Sequence, residues 1–277
     1  MAIDYAVLKD WRIPDKVTPY GRQDCMLYAL GLGYASNPLH ETEQPFVYEE
    51  WLKPAPTLLA VLGAPGAWAR DLGTGTGTGT GIAWLQILHG EHCMTFHAPL
   101  APEGTLRSRT RVVRIGDKGA GRGALVVTIE HTSFCRADCG IGRSDETPVA
   151  LPAVPETSPD TVVDLATEPR AAVWYRRNGD RNPLYVDPAS ARKASHARPI
   201  LYGLCSYGMA ARAILRACCD NDSAALKSLA LRFSAPMFPG EALRIELWRR
   251  EGLVQFCGIA AERGIPALTH GVADLHA

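Results

Sequence analysis

Between Tyr175 and Ala194 the chain reads YRRNGDRNPLYVDPASARKA. Its centre, Asp180-Arg181-Asn182-Pro183-Leu184-Tyr185, sets a carboxylate and a carboxamide two residues apart, ahead of a proline turn and a phenol. A carboxylate accepts a proton and an amide both donates and accepts hydrogen bonds, so the pair on one tight turn can fix a water molecule in one orientation. Pro183 stiffens the turn, and Gly179 allows the backbone twist that precedes it. The same residues also suit a structural role: an Asx turn leading into a helix, with Asp187 as N-cap and Pro188 as first helical residue. On chemistry alone, both readings stand.

The bulk properties narrow the field. A chain of 277 residues with 47% apolar content has ample material for a large core. Its 29 basic and 29 acidic side chains cancel, which argues against a nucleic-acid or anionic-membrane partner and for a small molecule. The 8 cysteines are scattered, with Cys218 and Cys219 adjacent, and do not form a secreted disulfide framework. Reduced thiols and a cytoplasmic location are expected. The opening MAIDYAVLKDWRIPDK lacks the apolar run of a signal peptide, and no window approaches the roughly 18 apolar residues of a membrane span.

Outward from the turn, apolar spacing predicts a helix over 20–34 and another over 204–219, the second rich in small and apolar residues as for a helix packed on most sides. Strand signals fall at 92–96, 106–115, 124–134, 229–233, 242–248 and 253–261, the last two joined by a hairpin at Glu251-Gly252. The stretch 151–169 holds four of the 20 prolines and reads as a linker. This divides the chain into 1–150, a linker 151–169, and 170–277, each half a helix with antiparallel strands, as in a duplicated α+β unit. The repeat GTGTGTGTG at 73–81 lacks the Gly-Lys-Ser/Thr ending of a phosphate loop and reads as a surface loop.

The turn resembles the signature of the (R)-specific enoyl-CoA hydratases of the MaoC-like, hot dog-fold family, which reads Gly-Asp-x-Asn-Pro-Leu-His. Further similarity lies in ARPILYGLCSYGMAARAIL (197–215), LRFSAPMFPGEALRIELW (231–248), YGRQDCMLYALGLG (20–33), ILHGEH (87–92) and DKGAG (117–121). The resemblance implies a double hot dog, two halves each with an antiparallel sheet wrapped around a central helix, the first half making room for the acyl chain. It implies reversible addition of water to a trans-2-enoyl-CoA, with no cofactor or metal beyond the CoA thioester that is the substrate, and a homodimer. By position Asp180 is the acid/base, Asn182 the orienting amide, and the Gly203 N–H a donor to the thioester oxygen. His89, Gly90, Lys118, Arg181, Pro183, Leu184, Tyr202 and Phe233 fall where relatives contact acyl-CoA.

The departures are chemical. Tyr185 stands where the family has histidine, and Tyr202 where relatives often carry it. Imidazole, with a pKa of about 6.5, exchanges protons at neutral pH, whereas a phenol of about 10 stays protonated and holds water only by hydrogen bonds. Three outcomes follow: Asp180 works as sole acid/base, Tyr185 serves a related addition or elimination, or the site only binds acyl-CoA. A hot dog thioesterase is a further alternative, which the Asp-x-Asn-Pro turn disfavours. His196, in a loop, reads as solvated. SNPLHE (36–41) echoes the turn, but Ala35 replaces the aspartate. Cys135 and Cys139 lack a second pair for a metal, and Glu130 and His131 alternate faces of a strand.

Overall fold

The computed structural model describes residues 5–66, 87–115, 124–128, 131–135, 145 and 150–276. The Gly-Thr repeat, Lys118, Glu130 and Cys139 lie outside the described residues. The helices are α1 (Tyr5–Lys9), α2 (Arg22–Gly31), α3 (Leu59–Leu62), α4 (Ala171–Arg176), α5 (Pro188–Lys193) and α6 (Gly203–Cys218). The strands are β1 (Lys16–Tyr20), β2 (Ile87–Thr95), β3 (Gly104–Ser108), β4 (Ala124–Thr128), β5 (His131–Cys135), β6 (Thr161–Ala166), β7 (Leu226–Phe233), β8 (Ala242–Arg250), β9 (Leu253–Ala260) and β10 (Ile265–Leu275).

Two compact units emerge, and they are not the two halves of the sequence. The first comprises 1–17, 65–92 and 107–150; the second comprises 18–64, 93–106 and 151–277. In the first, β5 pairs antiparallel with both β2 and β4, so the single strand expected over 124–134 is a hairpin. The strand expected over 106–115 ends at Ser108, and beyond it Arg111 makes only an isolated bridge to Arg12. Asp145 accepts hydrogen bonds from the Tyr5 hydroxyl at 2.7 Å and the Ile115 N–H at 2.9 Å, and pairs with Lys9.

In the second unit the strands run β7-β10-β9-β8-β6, all antiparallel pairs. β9 alternates half-buried and buried along its length, with Val254, Phe256, Gly258 and Ala260 inward, the period of two that one covered face imposes. Its hairpin with β8 turns at Gly252, whose φ of +64° favours glycine. β6 corrects the linker reading: Thr161–Ala166 is an edge strand on β8, from Thr161↔Leu247 to Ala166↔Ala242. β10 is a strand the sequence patterns did not reveal.

Helix α6 packs on β6, β7 and β8, and every residue from Cys205 to Leu215 is buried. Side chains this small let neighbours close in from several sides. At Gly208 an added Cβ would lie 2.6 Å from a Leu32 methyl, so any larger residue would have to displace that buried side chain. Arg212 points from α6 into the interior, where Glu43 accepts from its Nε at 3.0 Å and its Nη2 at 2.8 Å. Leu32 O accepts from its Nη1 at 3.1 Å and Ser36 Oγ from its Nη2 at 3.3 Å.

The turn echo in the first half has a structural counterpart. Asn37 Oδ1 accepts the Leu39 N–H at 3.0 Å, and Asn182 Oδ1 accepts the Leu184 N–H at the same distance. Helix α2 precedes the first Asn-Pro-Leu and α4 the second, and the two helices pack together through Tyr28 and Tyr175. The helix predicted over 20–34 is therefore the counterpart of α4 and not of α6.

Candidate active site

The turn is built by the two side chains whose chemistry is in question. Asp180 Oδ1 accepts the Asn182 N–H at 2.9 Å, closing an Asx turn, and Asn182 Oδ1 caps the short 3-10 turn Pro183–Tyr185. The structural reading, an Asx turn leading into a helix, is thus met. Each side chain spends one oxygen on the backbone; among the described residues, Asp180 Oδ2 and Asn182 Nδ2 have no protein partner. Asp187 then caps α5, accepting from Ala189 at 3.1 Å and Ser190 at 2.9 Å, with Pro188 as first helical residue.

Whole-residue exposure and local environment differ at Asp180. The residue is exposed, yet its carboxyl is crowded by protein, and this desolvation lifts it above the ordinary carboxylate range against the opposing Asn182 N–H and Arg176 charge. The environment of the carboxyl sets its acidity. Arg176 donates to the Asn182 carbonyl at 2.9 Å, so one cation both fixes the turn and faces the carboxylate.

Tyr185 lies with its ring centroid 3.7 Å from that of Tyr202, tilted by 31°. Burial, then the Asp180 charge, pushes the Tyr185 phenol far above its usual value, so it remains protonated. Its hydroxyl has no protein partner among the described residues. Tyr202 is 2% exposed, and its hydroxyl donates to the Asp180 carbonyl at 2.9 Å. Its ring packs on Tyr175 at 5.1 Å, and Tyr175 on Tyr28 at 5.8 Å.

Gly203 opens α6, so its N–H is one of the four that a helix leaves without an intrahelical acceptor, at the positive end of the helix dipole. Phe233 explains the glycine: an added Cβ would lie 3.3 Å from its ring. Leu184 is buried with Ala191 and Ile200, and Tyr202 is buried in the main core. Pro183 starts the 3-10 turn, and Arg181 is exposed.

The second-half residues Asp180 to Tyr185, Tyr202, Gly203 and Phe233 lie within one compact unit. His89 and Gly90 lie on β2 in the other, His89 opposite Ser133 and edge-on to His92 at 5.1 Å. His196 is half-buried where solvation was expected. A surface pocket is lined by Pro54, Leu59, Phe96, His97, Leu226 and His276, and none of the turn residues Asp180 to Tyr185 lines it. Among the described residues no group of three or more metal-capable side chains converges. Sequence reasoning missed Arg176 and Tyr175; the available signal was an arginine four residues before the aspartate in YRRNGD.

The turn thus presents a desolvated carboxylate, an amide and a protonated hydroxyl, groups able to hold a water and move its proton. The comparisons agree. Residues 151–265 match the MaoC like domain and residues 19–139 the MFE-2 hydratase 2 N-terminal domain. The chain is 33% identical over 263 residues to an enoyl-CoA hydratase of Mycobacterium tuberculosis, covering 90% of each protein. It is 35% identical over 248 residues to a 3-hydroxyacyl-thioester dehydratase of the same organism, covering 83% of this chain and 82% of that one. A MaoC-like dehydratase from Phytophthora capsici superposes with a TM-score of 0.84 at 27% identity, over 99% of this chain and 98% of that one. The chain belongs to the MaoC-like hydratase and dehydratase family, and its fold is the α+β double hot dog.

Proposed function

We propose that the protein is a lyase catalysing the reversible hydration of trans-2-enoyl-CoA to (R)-3-hydroxyacyl-CoA, with Tyr185 in the place of the usual histidine. The observation that carries this reading is the Asp180–Asn182 turn, which uses one oxygen of each side chain to hold itself and leaves Oδ2 and Nδ2 open for a water. In the hydration direction the water oxygen bonds to the β-carbon. Asp180 takes the water's proton and returns it to the α-carbon, so one carboxylate serves both transfers. Desolvation raises its pKa, which makes the carboxylate a stronger base toward the water's proton.

Tyr185 stays protonated and only holds the water, which costs about 10²–10⁴ in rate relative to a site with a second acid/base. The Gly203 N–H takes up charge on the thioester oxygen. Arg181, His89, Gly90 and Lys118 are assigned to the CoA moiety and the first half, 1–150, to the acyl chain, on family resemblance. No cofactor enters this chemistry. A homodimer formed through sheet edges and a cytoplasmic location complete the proposal; the thiols of Cys25, Cys205, Cys218, Cys219 and Cys257, none in a disulfide, suit a reducing compartment. No helix among the described residues is long and apolar enough to cross a membrane.

The test is product analysis. Purified protein is given a short and a long trans-2-enoyl-CoA, and the hydroxyacyl-CoA is scored with stereospecific dehydrogenases. The (R) product is expected; the (S) product, or release of free CoA, contradicts the proposal.

A further inference from the structure

Tyr202 touches three parts of the site at once. Its hydroxyl donates to the main-chain carbonyl of Asp180 at 2.9 Å, its ring lies against Tyr185 at 3.7 Å, and it is the N-cap of α6, bonded directly to Gly203. Its own carbonyl accepts the Cys205 and Ser206 N–H groups at 3.0 and 3.2 Å, which locks the residue to the first turn of the helix. Behind it Tyr175 and Tyr28 continue the ring contacts into the core, so Tyr202 cannot swing away without opening buried space.

We infer that Tyr202 is a positioning residue for the proposed hydration: it sets the Asp180 main chain, holds the Tyr185 ring, and thereby fixes both against the helix N-terminus that begins one residue later. This inference rests on the hydratase reading of the turn. The tyrosines at 185 and 202 are then a matched pair, because the ring that holds the water-bearing phenol is itself a phenol anchored to the backbone of the base. A ring that made no bond to the Asp180 carbonyl would hold Tyr185 without holding the carboxylate in register with it.

The experiment measures kcat and KM on crotonyl-CoA for the full chain, Tyr202→Phe, Tyr202→Leu, Tyr185→Phe, the double variant Tyr185→Phe/Tyr202→Leu, and Asp180→Asn. Tyr202→Phe keeps the ring and loses one hydrogen bond; kcat is expected to fall roughly 3- to 12-fold, with KM unchanged within about twofold. Tyr185→Phe lowers kcat in the natural chain but has little further effect on Tyr202→Leu, because an unheld phenol no longer aims its water. An increase in KM at constant kcat for Tyr202→Phe makes it a ligand contact and overturns the inference, as do multiplicative losses in the double variant. Should Tyr202→Leu not fold, the nearly isosteric Tyr202→Phe decides alone. An inactive natural chain, or an Asp180→Asn variant as active as the natural chain, defeats the hydratase reading; an active chain stopped by Asp180→Asn but indifferent to Tyr202→Phe defeats only the role of Tyr202.

Discussion

Replacing Glu43 with glutamine removes one charge from the most deeply buried ion pair described. Arg212 is 2% exposed and Glu43 0%, and the carboxylate receives two guanidinium bonds and the Ala35 N–H at 3.3 Å. In Glu43→Gln the guanidinium keeps Leu32 O and Ser36 Oγ but has no counter-charge, and water cannot reach it. Breaking one side of such a buried pair costs about 3–5 kcal/mol, far more than an exposed pair returns. For a chain of this size each kcal/mol lowers Tm by roughly 2–4 °C, which predicts a drop of about 6–20 °C. Urea and thermal unfolding of Glu43→Gln, Arg212→Met and the double Glu43→Leu/Arg212→Met measure it. Both single variants should be strongly destabilised and the apolar double variant should recover most of the loss, since it leaves no unpaired charge. A single-variant cost below about 1 kcal/mol would refute the reasoning.

Three further outcomes follow from the same geometry. Gly203→Ala places a methyl 3.3 Å from the Phe233 ring and disturbs the helix start; kcat for enoyl-CoA should fall at least several-fold while unfolding shifts by no more than about 1–3 kcal/mol, the cost of overpacking. Hydration should decline as pH falls through the Asp180 titration, which desolvation places above the ordinary carboxylate range, because the base must be ionised. The kcat–pH profile should show no step near 6.5 until Tyr185→His supplies an imidazole of about that pKa. At Asp145 the bonds from Lys9, Tyr5 and Ile115 hold the carboxyl down at about 2, below the ordinary carboxylate range. A folded-state value below the unfolded one stabilises at higher pH, so the difference between the natural chain and Asp145→Asn, read by denaturation, should be full above about pH 5 and vanish as pH falls toward 2.

The turn was legible because it is local: Asp180, Asn182 and Pro183 fix one another through bonds two residues long, and residue type carries that information. Helix α6 was legible for a similar reason, since a long run of small and apolar residues admits few other arrangements. What was not legible depends on distant partners. β6 sits among prolines and becomes a strand only because β8 offers a ladder from Leu247 to Ala242. β10 carries Pro266 and Gly271 and is interrupted by register shifts, so its alternation is broken in the sequence. The Arg212–Glu43 pair joins residues 169 apart, and no spacing rule links them. The stack of Tyr28, Tyr175, Tyr202 and Tyr185 likewise draws on four separate segments, and no local pattern links them.

Loss of enoyl absorbance from crotonyl-CoA, followed side by side with the natural chain, Asp180→Asn and Tyr185→His, tests the central claim most directly. The account predicts measurable hydration by the natural chain, loss of at least about 10²-fold in Asp180→Asn, the worth of a general acid–base group, and continued turnover in Tyr185→His. Inert natural protein that becomes active only as Tyr185→His would contradict it, and would mean that the phenol had turned a hydratase site into one that only binds acyl-CoA.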